Sequence, residues 1–417
     1  MPDSIYMQRA IELAASGGGW VNPNPQVGAV LVSGGHVVSE GYHERFGGLH
    51  AERNALAAAK AAGASTEGTT MYVTLEPCCH HGKTPPCTDA IIEAGIARVV
   101  VGSHDPNPEV AGKGISQLRS TGIEVVEGFM QQECDRLNQI FFHYIKTGIP
   151  YVLMKYAMTM DGKIATHTGA SKWITGAAAR EDVHRLRGRY AAIMVGIGTV
   201  LADDPLLNCR SAGGHQPLRI ICDSQLRIPL ESQIVQTASA YETLIVASAN
   251  YANFNSNIEL QPFSEMEPPK QAKAEAAFAT TPEAAQHMAK AAQLAEQGCR
   301  VIYVPSQNEG NAHTHARIDL VRLMKHLGNN QIDSVFIEGG PTLNASALEA
   351  GCVNRIRCYM APKLFGGTQA PSPVAGTGVD TPDAASHLIN TSVEKFGDDY
   401  CIEGEVCSNA TEDNAAT

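Results

Sequence analysis

The chain has 417 residues, enough for about two or three domains. Hydrophobic residues make up 44% and charged residues 18%, a globular balance that excludes wholesale disorder. Lys and Arg total 31 against 43 acids, and the formal net charge of −12 disfavours a surface dominated by nucleic-acid or anionic-membrane binding, though not a local basic patch.

In chain order, residues 1–15 carry acids and no apolar core, which argues against a secretory signal. The spacing of Ile5, Met7, Ile11, Leu13 and Ala14 predicts a helix over 5–15, closed by Gly17-Gly18-Gly19. Strands over 27–32 and 36–41 flank Ser33-Gly34-Gly35, a hairpin-type turn. A helix over 51–62, a strand over 70–75, a helix over 87–94, a strand over 98–102, a short helix over 114–120, a strand over 122–126 and a long helix over 131–146 complete a layered α/β domain with a substantially parallel sheet. Thr147-Gly148-Ile149-Pro150 reads as a linker, dividing a first domain over 1–147 from a second over 148–407. In the second, strands are expected over 151–157, 191–195, 218–222, 243–246, 300–304, 334–337 and 355–360, and helices over 177–189, 282–296, 318–327 and 341–350. The longest apolar run, 191–202, is too short for a membrane span and is broken by Gly196 and Gly198. Residues 251–281 are polar and rich in Ala, Pro and Glu and read as a surface insertion; 408–417 read as a tail. Eleven cysteines, an odd number without an export signal, suggest reduced thiols and a cytoplasmic setting.

His50-Ala51-Glu52 opens the Ala-rich helix, and the strand over 70–75 runs into Glu76-Pro77-Cys78-Cys79-His80-His81-Gly82-Lys83-Thr84-Pro85-Pro86-Cys87. One imidazole and two thiolates suit Zn²⁺, and three protein ligands leave a fourth position for water, the arrangement of a catalytic rather than a structural site. His50 and Cys87 would sit at helix starts, where the dipole favours a thiolate. Glu52 is too close in chain to His50 to serve as a convenient ligand, but it is well placed to take a proton from water and deliver it to a leaving amine. Cys78 and Cys79 point in different directions, so one of them ligates; Cys78, directly after Pro77, fits the motif. Cys79, His80 or His81 could complete a purely structural zinc, which would leave Glu52 without a role. The two histidines could equally be loop surface or contacts to a substrate phosphate. The other cysteines lack ligand spacing and read as small apolar residues.

His-x-Glu followed by Pro-Cys and a second Cys is the zinc nucleobase-deaminase pattern. Here eight residues separate Cys78 from Cys87, against the usual two. With that longer loop, and with Asn22-Pro23-Asn24-Pro25 before the first strand, residues 1–147 resemble the deaminase half of the bifunctional riboflavin-biosynthesis deaminase/reductases. In the second domain, Ile337-Glu338-Gly339-Gly340-Pro341-Thr342-Leu343 ends a strand, allows close backbone approach and opens a helix, an anion site suited to a pyrophosphate or plain strand-to-helix punctuation. Gly196-Ile197-Gly198 lacks a third glycine and is a weak dinucleotide signal. Together with Lys155 to Gly162, Ser171-Lys172-Trp173-Ile174-Thr175, Gly198 to Pro205, and the fork-shaped Arg187 and Arg210, which could bind phosphate or form surface ion pairs, this stretch resembles the reductase half of the same enzymes.

The resemblance implies an N-terminal cytidine-deaminase-like three-layer α/β/α domain and a C-terminal dihydrofolate-reductase-like α/β domain. It implies one Zn²⁺ held by His50, Cys78 and Cys87 with Glu52 catalytic, and hydrolytic deamination of a phosphoribosylated diaminopyrimidine to the uracil. NADPH-dependent reduction of the ribosyl side chain to ribityl follows. By resemblance, NADPH meets Ala157, Trp173, Thr199, Asp203, Ser224 and the turn formed by Gly340, Pro341, Thr342, Leu343, Asn344, Ala345 and Ser346. Substrate meets Ser171, Arg187, Leu207, Arg210 and Glu338, with Lys155 at the reacting sugar and the two arginines on the phosphate. The preference for NADPH over NADH rests on the resemblance alone. A small-molecule substrate, no nucleic acid, no membrane and a homo-oligomer are expected. Two other readings compete. A tRNA-type base deaminase shares His-x-Glu and Pro-Cys but is disfavoured by the wide cysteine spacing, the acidic chain and the second domain. A zinc-stapled scaffold would unfold on metal removal.

Overall fold

The computed structural model describes residues 2–80, 85–108, 110–249, 263, 281–306 and 317–407. His81, the tail over 408–417 and all of the expected 251–281 insertion except Phe263 and Thr281 lie outside the described residues. The chain separates into two compact units, Met1–Gly148 and Ile149–Thr417.

The first unit runs α1 (Ser4–Ala15), β1 (Gly28–Ser33), β2 (His36–Tyr42), α2 (Ala51–Ala61), β3 (Thr70–Leu75), α3 (Cys87–Glu93), β4 (Arg98–Ser103), α4 (Lys113–Ser120), β5 (Glu124–Val126), α5 (Gln131–Leu137) and α6 (Gln139–Thr147). Its sheet has the order β2-β1-β3-β4-β5; β1 is antiparallel to β2 and β3, and β3, β4 and β5 are parallel. Strand alternation sorts the core into two layers. Ala29, Leu31, Met71, Val73, Val99 and Val101 face Ala51 and Ala55 of α2, Ile91 of α3 and Leu118 of α4. Val30, Val32, Tyr72 and Val100 face Met7 and Ala10 of α1 and Cys134 of α5. The result is the expected three-layer α/β/α domain. Helix α2 lies directly on β2: a Cβ at Gly41 would stand 2.3 Å from the Ala55 backbone nitrogen and 2.6 Å from the Ala51 oxygen, so only glycine permits this approach.

The long helix expected over 131–146 is two helices broken at Asn138. The reason is a buried demand for hydrogen bonds. The Asn138 side chain accepts from the Gln26 backbone N–H at 2.8 Å and donates to the Gln26 carbonyl at 2.9 Å, acting as a strand partner to the segment entering β1.

The second unit runs β6 (Tyr151–Thr159), α7 (Ala177–Arg189), β7 (Ala192–Gly196), α8 (Ile197–Asp203), β8 (Leu218–Cys222), α9 (Gln233–Gln236), β9 (Thr243–Ser248), α10 (Pro282–Glu296), β10 (Arg300–Val304), α11 (Leu320–Asn329), β11 (Ser334–Ile337), α12 (Pro341–Glu349), β12 (Arg355–Ala361), β13 (His387–Phe396) and β14 (Asp399–Cys407). The sheet order is β10-β9-β8-β7-β11-β6-β12-β14-β13, parallel from β10 to β12 and antiparallel at β14 and β13. Because β6, β7, β8 and β11 run parallel, the loops that follow them leave from one edge of the sheet, where ligands of open α/β sheets bind. Val152, Met154, Met194, Ile220, Val246 and Val335 pack with Leu323 and Leu327 of α11 in the core.

Helix α8 and the β13–β14 hairpin carry no signal in the sequence reading. Helix α8 starts at a glycine and contains another, which masks it. β14 pairs with β12 so that the acids Glu403 and Glu405 stand opposite Arg357 and Arg355. Arg355 meets Glu403 at 2.8 Å, and Arg357 is bracketed by Glu403 and by Asp182 at 2.6 Å. These cross-strand ion pairs hold a polar ribbon that hydrophobic alternation does not reveal.

Candidate functional sites

In the first unit, three elements bring the metal-type ligands together. His50 is the N-cap residue of α2, Cys78 follows the end of β3, and Cys87 is the first residue of α3. The Cys78 carbonyl accepts from Cys87 N–H at 3.0 Å and from Thr88 N–H at 3.2 Å, tying the end of β3 to the start of α3. Arg53 grips that loop as well, donating to the carbonyls of Pro85 at 3.1 Å and Pro86 at 2.7 Å. His50 Nδ1 lies 3.4 Å from each sulfur, and the three donor atoms lie within 4.8 Å of one another. Tetrahedral zinc with ordinary Zn–N and Zn–S bonds requires N···S separations of about 3.5 Å, so the donor set fits the ion. Cys79 and His80 are not members of this group among the described residues.

The electrostatics follow from the crowding. Cys78 is held down to about 4, because Cys87 and His50 donate to its sulfur; the same contact pushes the Cys87 thiol up and raises His50. Glu52, in the first turn of α2, is buried, and burial raises its carboxyl pKa.

His50, Glu52 and Cys78 open onto one cavity of about 330 Å³. Its wall also carries residues that the sequence reading did not single out. His43 is buried; its Nδ1 lies 2.9 Å from the Leu49 carbonyl and its Nε2 3.2 Å from Asn24 Nδ2. Those partners assign the proton of the neutral ring to Nδ1, and burial lowers the ring's pKa. Asp105, also on the wall, has its carboxyl pushed up to about 6 by burial. Glu76 anchors the loop that carries Asp105 and Asn107: its carboxylate accepts from Gly112 at 3.0 Å, Gly114 at 3.1 Å and Ile115 at 3.3 Å, at the start of α4. Only the Asn22-Pro23-Asn24-Pro25 stretch hinted at this wall in the sequence. His43 lies just beyond β2, outside any motif.

In the second unit a cavity of about 670 Å³ is lined by Lys155, Ala157, Ser171, Trp173, Arg187, Thr199, Asp203, Leu207, Arg210, Glu338, Gly340 and Asn344. Ser224, Thr342, Leu343 and Ser346 line a second cavity of about 480 Å³. Pro341 opens α12, and Ala345 is buried within it. Glu338 is the electrostatic centre of the larger cavity. It accepts from Arg187 Nε at 2.6 Å and Nη2 at 3.1 Å, and from Lys155 at 3.4 Å. Burial opposes its charge, but Arg187 and Lys155 hold the carboxyl down to about 2. Arg187 also donates to the Asn208 carbonyl at 3.2 Å, so its fork is already engaged, whereas the exposed Arg210 makes a 3.4 Å contact to the Asn208 side chain. Ser171 donates to Asp203 at 3.0 Å, and Trp173, 64% exposed, stacks under the Arg180 guanidinium at 4.5 Å. The buried Arg219 was missed by sequence reading. It ties the Leu206 carbonyl, next to Leu207, to Thr237, Ile234, Tyr241 and Thr243.

Residues 150–402 match the RibD C-terminal domain family, and residues 1–103 match the cytidine and deoxycytidylate deaminase zinc-binding region. The chain is 50% identical over 408 residues to riboflavin biosynthesis protein RibD of Actinobacillus pleuropneumoniae, covering 98% of this chain and 96% of the relative. It is 38% identical over 415 residues to the Escherichia coli (strain K12) protein of that name, covering 96% and 99%. Among solved structures, Acinetobacter baumannii RibD superposes with a TM-score of 0.76 at 32% identity, covering 97% of this chain and 98% of that one. A diaminohydroxyphosphoribosylaminopyrimidine deaminase/5-amino-6-(5-phosphoribosylamino)uracil reductase from Thermotoga maritima gives 0.74 at 34%, with the same coverage.

Proposed function

Because the chain belongs to the RibD family, the zinc-dependent deaminases and NADPH-dependent reductases of riboflavin biosynthesis, we propose which of its residues perform each reaction. In the first unit His50, Cys78 and Cys87 hold zinc. When bound, the ion supplies the Lewis acidity that makes water a usable nucleophile near neutral pH. Glu52 takes the proton of the attacking water and returns protons to the ring nitrogen and the departing ammonia, so the amine-bearing ring carbon becomes a carbonyl. Burial raises the Glu52 carboxyl pKa, which favours its holding a proton between taking it up and giving it away.

In the second unit the cofactor supplies the hydride, and the protein supplies position and charge. Ala157, Trp173, Thr199, Asp203, Gly340 and Asn344 hold its nicotinamide half. Ser224, Thr342, Leu343 and Ser346 hold the other half, with Pro341 and Ala345 shaping the turn. Ser171, Leu207, Arg187, Arg210 and Glu338 hold the substrate. Arg210 presents its exposed cation to the phosphate, and Arg187 orients Glu338. Lys155, fixed by Glu338, faces the reacting sugar. The proposal includes a homo-oligomer working in the cytoplasm. Among the described residues no helix is long and apolar enough to cross a membrane.

The observation that carries the deaminase assignment is the meeting of His50, Cys78 and Cys87 donor atoms within 4.8 Å of one another, with Glu52 beside His50 and Cys78 on one cavity. Glu52→Gln tests it. Ammonia release should fall by about 10²-fold or more, with zinc content and NADPH-dependent reduction of supplied uracil intermediate unchanged. Ammonia release at the parental rate would sink the role given to Glu52.

A further inference from the structure

The first turns of α12 divide between the two cavities of the second unit. Gly340 and Asn344 face the larger one, and Thr342 and Ser346 the smaller. The start of α8 is shared in the same way, with Gly198 on the smaller cavity and Thr199 on the larger. A dinucleotide whose pyrophosphate lies at the start of α12 therefore extends one half into each. The larger cavity holds Lys155, Glu338 and the substrate arginines, so the smaller takes the adenosine.

The smaller cavity has an unusual wall for a chain of net charge −12. Arg227 and Arg317 are the only charged side chains among the described residues lining it. Among the described lining residues no carboxylate stands ready to receive a ribose 2′-hydroxyl, the usual device of NADH sites, whereas an arginine is the usual device for a 2′-phosphate. Arg227 is delivered on a rigid turn. Asp223 accepts from Ile228 N–H at 2.8 Å, Leu226 N–H donates to the Asp223 carbonyl at 3.1 Å, and Leu226 and Ile228 are both buried, which turns the residue between them outward. Ser224 and Gln225, on the same turn, line the cavity beside it. Among the described residues Arg317 pairs with the exposed Glu349 at 3.4 Å, a contact that a phosphate would readily displace. Ile197, Ile318 and Leu320 supply an apolar wall for the adenine.

We propose that Arg227 and Arg317 bind the 2′-phosphate of the cofactor's adenosine and set the preference of the reductase for NADPH over NADH. This rests on the cofactor placement given above. The test uses the zinc-loaded full chain and its Arg227→Ala and Arg317→Ala variants, with dissociation constants measured by calorimetry for NADPH, NADH, 2′,5′-ADP and 5′-ADP. Loss of a charge-assisted contact should weaken NADPH and 2′,5′-ADP by about ten-fold or more per variant, with NADH and 5′-ADP within about two-fold. Arg227→Lys should restore part of the difference. Parental affinity for NADH and 5′-ADP reports a folded second unit, and ammonia release should match the parent. Parallel weakening of NADPH and NADH, or an unchanged ratio in both variants, overturns the assignment. A parent that binds neither dinucleotide overturns the cofactor placement itself, an outcome distinct from a parent that binds both equally.

Discussion

At the scale of single residues, both sites depend on charges kept out of water by specific partners. Glu338 remains ionised because Arg187 and Lys155 both reach it, and a carboxylate so buried tolerates the loss of neither. Asp105 is the opposite case. Burial pushes its carboxyl up to about 6, against an ordinary value near 3.8. A raised carboxyl pKa means that the folded state binds the proton more tightly than the unfolded chain, so this group's contribution to stability is greatest at low pH and is lost as pH rises through 6. Asp105→Asn removes that penalty and keeps a side-chain oxygen for the Asn107 N–H, now bonded at 2.8 Å. The variant should be more stable than the parent by on the order of 3 kcal/mol at pH 8, and by about half of that at pH 5. Urea unfolding of the two proteins at both pH values checks this, and an equal gain at both would remove burial of the charge as the cause. Residues of this kind were only partly legible beforehand. His50, Glu52, Cys78 and Cys87 announce themselves because metal chemistry constrains residue type and spacing together. His43, Asp105 and Arg219 do not, because their roles come from neighbours distant in the chain.

At the scale of elements, alternation and turn residues located most strands of both sheets within a residue or two, β3, β8, β10 and β11 among them. Reading failed where tertiary contacts override local pattern. The β13–β14 ribbon is held by arginine–carboxylate pairs, α8 forms despite its glycines, and Asn138 interrupts an otherwise continuous helix to serve Gln26. That interruption has a measurable purpose, since Gln26 follows the Asn24-Pro25 segment on the cavity wall. Asn138→Ala would strand a buried N–H and a buried carbonyl, at a cost of about 2–4 kcal/mol. The expected outcome is a lower unfolding midpoint for the first unit and a higher KM for deamination, with reductase kinetics unchanged. A variant with parental stability would show that the two hydrogen bonds are replaceable.

At the scale of the whole molecule, each unit has its own sheet, its own core and its own cavity. The family comparisons span nearly the full chain, so both activities belong to one polypeptide. Stripping zinc with a chelator should abolish ammonia release while NADPH oxidation with the uracil intermediate continues and the calorimetric transition of the second unit keeps its temperature. Loss of both activities together would mean that the metal supports more than the first unit. The close contact between β2 and α2 also bears on how such a gene fails. His50, Glu52 and Arg53 ride on the opening turn of a helix whose depth is set by the bare backbone of Gly41. One added methyl there, with no ligand or acid touched, would lift the histidine off both sulfurs, so a riboflavin auxotroph can arise from a change that a scan of catalytic positions would pass over.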